Sequence, residues 1–139
     1  MQDLVGFGTL GVAIIVAALT AQQVWINKLQ LRHTLFERRF AIFKAAQRYV
    51  SEIMREGTLS DQAFRDLYPE ILDAWQRSRF LFGEDVSEYI DTIRRRSLEL
   101  RAADRAQNHE KEDDHLAWIC DQSPELFHRF QPYMQFATR

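Results

Sequence analysis

Cysteine is nearly absent: the 139-residue chain has one, Cys120. That excludes an internal disulfide and a multi-thiolate metal site, and it fits a reducing compartment. Proline and glycine are scarce as well, with three and five residues, so long stretches carry neither of the residues that break helices. Neither sign of charge dominates, since 18 Lys plus Arg face 20 Asp plus Glu, and the chain as a whole presents no field that would draw nucleic acid. Charge is missing altogether from residues 4–26, LVGFGTLGVAIIVAALTAQQVWI, and no Lys or Arg precedes Lys28.

That uncharged run covers about 35 Å at ~1.5 Å per helical residue, enough for a ~30 Å hydrocarbon core with modest tilt. Residues 1–26 therefore read as a transmembrane anchor. Ala17, Ala18 and Ala21 also offer the small residues of a signal-peptide cleavage region. The basic n-region that such a signal needs is missing from Met1, Gln2 and Asp3, which favours the anchor. Lys28, Arg32, Arg38 and Arg39 follow the run, whereas Asp3 is the only charged side chain before it. The positive-inside bias then expects the N-terminus outside and residues 27–139 in the cytoplasm. Trp25, Lys28 and Arg32 fall at the expected membrane interface, where an indole and snorkelling cations are favoured.

Within the run, GFGTLG at residues 6–11 matches the dinucleotide-binding spacing G-x-G-x-x-G in form. The motif needs a strand before it, and only five residues are there, so no nucleotide or other cofactor is expected. Gly6, Gly11, Ala13, Ala17 and Ala21 instead form a row of small residues that lets a second membrane helix approach closely. Lipid and a second copy of the chain are thus the partners this segment anticipates.

Residues 27–139 read as one all-α domain, a small helical bundle rich in aromatic side chains. Residues 22–55 hold no proline or glycine and carry Trp25, Leu29, Phe36, Phe40, Phe43, Val50 and Met54 at helical spacing, so the membrane helix is expected to continue into the cytoplasm. Asn27, His33 and Thr34 mark where it would bend, and Gly57 supplies its stop. Ser60 is the expected N-cap of a second helix that Pro69 kinks or restarts. Asp85 and Glu88 read as a capping pair for a third, with Val86, Tyr89, Ile90, Ile93, Ser97 and Leu100 as its inner face. Residues 101–115, RAADRAQNHEKEDDH, lose every apolar side chain but alanine and predict a solvated helix or a helix-to-helix connection. Ser123 and Pro124 read as the N-cap and first residue of the last helix, which Pro132 ends or bends.

The segment KLQLRHTLFERRFAIF, residues 28–43, contains Leu35, Phe36, Glu37, Arg38, Arg39 and Phe40 in sequence. It resembles the juxtamembrane segment of a group of bacterial single-pass membrane proteins whose motif is Leu-Phe-(Asp/Glu)-Arg-Arg-Phe. FLFGEDVSEYI, residues 80–90, is similar to a Phe-Leu-Phe-Gly element of the same proteins. The resemblance implies bacterial origin, the inner membrane and the single-pass architecture. It carries no activity.

No spacing of His, Cys, Asp, Glu or Ser forms a catalytic or metal-ligating constellation. His109 and His115 are six apart amid carboxylates, without H-E-x-x-H. The triplet Arg94, Arg95 and Arg96 is too short for a nucleic-acid patch, because successive helical residues point about 100° apart. Arg38 and Arg39 are the candidate contacts to anionic headgroups or to a partner. The expected function is therefore that of an interaction protein, not an enzyme: a membrane-anchored scaffold, regulator or accessory subunit that binds another protein or itself. The alternative is a homo-oligomeric membrane effector, such as a pore-forming or phage-defence protein.

Overall fold

A computed structural model describes residues 8–135 in full and the helical backbone of residues 2–7; Gly6 and Phe136 lie outside the fully described residues. The chain is all-α, as expected, with no strand among the described residues. Its helices are α1 (Gln2–Glu56), α2 (Asp61–Leu81), α3 (Glu84–Arg105) and α4 (His109–Met134). They divide into two compact units, Met1–Phe36 and Glu37–Arg139.

The first unit is a single stretch of α1. It is long and apolar enough to cross a membrane, and none of its apolar window is buried within the protein. Leu10, Val12, Ile14, Ile15, Val16 and Leu19 are all exposed. The hydroxyl of Thr20 donates to the Val16 carbonyl at 2.8 Å, which satisfies this polar side chain within the run. Thr34 does the same with the Gln30 carbonyl at 2.9 Å. Thr34 is thus accommodated inside α1, which is one helical element across residues 27–34, the stretch anticipated as a bend.

The second unit is the bundle. Ile42, Phe43, Ala46, Tyr49, Val50 and Ile53 of α1 form one wall of its core, at the 3- and 4-residue spacing of a helix face. Gly57 ends α1 in the left-handed conformation at φ 73°, and its N–H donates to the Ile53 carbonyl at 2.8 Å. Ser60 caps α2 by accepting from the Ala63 N–H at 3.1 Å. The buried face of α3 is the anticipated one: Val86, Tyr89, Ile90, Ile93, Ser97 and Leu100.

Three local expectations are corrected, each by packing or by a competing hydrogen bond. The last helix does not start at Pro124: α4 begins at His109, capped by the Asn108 side chain accepting from the Lys111 N–H. It runs through Pro124 because Ile119, Gln122, Leu126 and Phe130 keep a continuous buried face across it. Pro69 likewise does not restart a helix, since Leu67, Ile71, Ala74 and Ser78 carry α2 past it. Asp85 does not cap α3, whose N-cap is Gly83 without any side-chain hydrogen bond; the carboxylate instead accepts from the Tyr133 hydroxyl at 2.8 Å.

Residues 101–115 contain the connection between α3 and α4, which is a tight turn with Gln107 at φ 54°. Its first residue is not solvated. The Arg101 guanidinium lies 4.0 Å over the Phe64 ring and is ion-paired to Asp61. Asp61 therefore bridges to Arg101 and to Arg105 of α3, while Arg65, four residues on, donates to Gln62.

Candidate functional site

Arg38 and Arg39 part company in the bundle. Arg39 turns inward, with Nε donating to the Leu81 carbonyl at 2.9 Å and Nη1 to the Tyr133 carbonyl at 3.1 Å. Its guanidinium also lies 5.7 Å from the Phe82 ring and 5.6 Å from the Tyr133 ring. A side chain of α1 thus caps the C-terminal ends of α2 and α4, where carbonyls lack helical partners and a cation complements the dipole. Arg38 is exposed and engages no partner among the described residues. Of this pair it is Arg38 that is open to a headgroup or a protein.

Apart from Gly6, which lies outside the fully described residues, the interface and packing candidates of the first unit are exposed. Trp25 is 65% exposed, and Lys28 and Arg32 stand on the same open helix. A methyl group added at Gly11 would meet nothing within 4 Å, and Ala13, Ala17 and Ala21 are exposed as well. The small-residue row therefore faces open space within one chain.

The bundle also presents aromatic side chains to solvent. Phe80 is 89% exposed and Phe127 56%. Phe127 meets the buried Phe43 edge-on at 5.2 Å, and Phe43 stacks on Phe40 at 6.1 Å. Phe40, Phe43 and Phe127 thus join into one aromatic patch between α1 and α4.

A groove of about 630 Å³ opens between α3 and α4, and sequence reasoning missed it. Its lining holds the four carboxylates of Asp85, Glu88, Asp121 and Glu125 against the one guanidinium of Arg129. Arg129 is already paired with Glu125 at 2.7 Å and lies over the Tyr89 ring at 5.2 Å. Burial raises the Tyr89 hydroxyl above its ordinary titration range, with Glu125 adding to the effect. The available signal was the recurrence of acids at Asp85 and Glu88 on one helix and Asp121 and Glu125 on another, each pair spanning about one turn. Reading the first pair as a cap concealed it.

The arginines of residues 94–96 are engaged within the fold. Arg94 binds Asp91 at 2.6 Å, donates to the Tyr68 hydroxyl at 3.0 Å and covers Trp75 at 5.0 Å. Arg96 covers Trp118 at 5.3 Å and reaches His115 Nδ1 at 3.2 Å. The arginine triplet is thus split, two members into the protein and Arg95 onto Asp91 at 3.0 Å. Cys120 is half-buried. No family model matches the chain, and neither curated proteins nor solved structures give a match.

Proposed function

We propose that this chain is a membrane-anchored interaction protein, a scaffold, regulator or accessory subunit whose helical bundle recognises another protein in the cytoplasm. The observation that carries the reading is the complete exposure of the apolar window of α1 beside a bundle with its own closed core. An uncovered apolar helix of this length needs a bilayer to bury it. The basic residues Lys28, Arg32 and Arg38 after the window favour the bundle on the cytoplasmic side, and the juxtamembrane resemblance favours a bacterial inner membrane. Exposed aromatic side chains on the bundle, Phe80 and Phe127 above all, are the kind of anchor that protein interfaces use.

The test pairs extraction with topology. Full-length protein should stay in the membrane fraction at alkaline pH, and a C-terminal green fluorescent protein should be bright while a C-terminal alkaline phosphatase stays inactive. Release at alkaline pH, or the reverse pattern of reporters, contradicts the reading.

A further inference from the structure

We propose that a stripe of uncharged polar residues on α1, centred on Gln23, Asn27 and Gln30, pairs in parallel with the same stripe of a second copy of this chain. This goes beyond the proposed function and rests on its membrane insertion.

Val16, Thr20, Gln23, Asn27, Gln30 and Thr34 follow one another at alternating steps of four and three residues. That is the 3.5-residue repeat of a coiled-coil seam, which keeps to one side of a helix and sets a left-handed crossing between two of them. The structure meets the condition that this spacing sets. α1 is one helical element through all these positions, and each of them is exposed. The row Ala13, Ala17 and Ala21 advances by four residues each time, so it drifts about 40° per step around the helix and leaves this face.

The amide side chains of Gln23, Asn27 and Gln30 take no hydrogen bond among the described residues. Gln23 lies inside the uncharged run, and Asn27 and Gln30 closely follow it. An amide without a partner is costly where water is scarce. Thr20 and Thr34 differ, since their hydroxyls donate to carbonyls of their own helix. Their small size lets a second backbone approach.

Charge selects the occupant. No acid or base stands at any position of the stripe. Carboxylates or ammonium groups there would repel their own copy, whereas each amide holds both donors and an acceptor and so complements itself. Identical seam positions face each other in a parallel pair, and copies that insert by the same charge bias are parallel. The flanks agree. Leu19, Val24, Ile26 and Leu31 border the stripe and are exposed, so apolar contacts surround the amides as the pair closes. Trp25, Lys28 and Arg32 point about 100–160° away from Asn27, which leaves them to the lipid headgroups.

The test uses the full chain, labelled at its C-terminus with a donor or an acceptor fluorophore and reconstituted in phosphatidylcholine vesicles over a range of protein-to-lipid ratios. Energy transfer should rise with that ratio as pairs form. Gln23→Ala/Asn27→Ala/Gln30→Ala should raise the ratio at half-association at least about tenfold, because interhelical amide bonds are lost. Gln22→Ala deletes an amide about 140° from Asn27 and should shift that ratio by less than about twofold. In a Cys120→Ser background, oxidation of membranes should link copies of Thr20→Cys but not of Ala21→Cys, which stands on the small-residue row. No energy transfer in the wild type, an unchanged triple variant, an equal loss in Gln22→Ala, or linkage from Ala21→Cys as strong as from Thr20→Cys would overturn the proposal. Alkaline extraction keeps this claim apart from the broader one. A wild-type chain that stays in the membrane fraction without associating overturns the pairing alone, and release from the membrane overturns both.

Discussion

Arg39 and Leu81 are joined by a 2.9 Å hydrogen bond from the guanidinium Nε to the last carbonyl of α2. The same guanidinium holds the Tyr133 carbonyl, and the Tyr133 ring packs edge-on against Phe82 at 5.2 Å. Two helix ends are thereby gathered on one side chain. Arg39→Ala should destabilise the bundle by about 1–3 kcal/mol, because it strips a charged donor from two helix-end carbonyls. Arg38→Ala should change stability by less than about 0.5 kcal/mol. Thermal denaturation of the full chain, followed by its helical signal, separates the two.

Gly83 serves the same junction by its small size. A methyl group there would lie 2.7 Å from both the Tyr133 hydroxyl oxygen and Asp85 Oδ1, closer than such atoms pack. Gly83→Ala should therefore cost about 1–3 kcal/mol, as overpacking does, and alanine is also a poorer N-cap than glycine at this position. Adding Tyr133→Phe should recover part of the loss by removing the hydroxyl in the way. A double-mutant cycle measured by chemical denaturation checks this.

Pro124 is exposed on α4 and lies inside the helix. It cannot donate to the carbonyl four residues earlier, so Pro124→Ala should raise stability by about 1–3 kcal/mol. Leu126→Ala, two residues on and 1% exposed, should lower it by about 2–5 kcal/mol. Opposite shifts of the denaturation midpoint are the expected result.

Alkaline pH should destabilise the bundle. Tyr49 accepts no water at 1% exposure, and its hydroxyl sits 2.7 Å from Ser97 Oγ. Burial, the largest cause, pushes its pKa from 10.0 up to about 12, against the lowering effect of the Ser97 hydrogen bond. The folded state thus holds this proton more tightly than the unfolded one. The stabilisation is complete below pH 10 and is lost as pH rises to about 12, the sign that linkage requires. Tyr89 shifts in the same direction. Denaturation midpoints between pH 9 and about 12 should fall steeply for the wild type and less steeply for Tyr49→Phe.

The helices and their inner faces were legible because they rest on local chemistry and a 3.6-residue period: Ser60 as a cap, Gly57 as a stop, Val86 through Leu100 as a face. Pro124 misled because local helix-start signals compete with packing, and the buried row Ile119, Gln122, Leu126 and Phe130 prevailed over the proline. Asp85 misled in the same way, since a hydroxyl from Tyr133, 48 residues away, outcompeted the nearby backbone. The parting of Arg38 and Arg39 was illegible: adjacent residues differ by about 100° around a helix, and only the tertiary fold decides which one faces Leu81. The groove was hidden for a related reason, since its acids come from two helices whose alignment no local pattern specifies.

The most direct test of the proposed interaction role is photocrosslinking in living cells from Phe127, replaced by a photoreactive phenylalanine in the full chain. Phe127 is 56% exposed, so the probe reaches whatever covers the bundle without disturbing its core. The account predicts a discrete adduct with a different protein, diminished by competing mutations on the bundle surface. Adducts formed only between copies of this chain would contradict it and point to the homo-oligomeric effector.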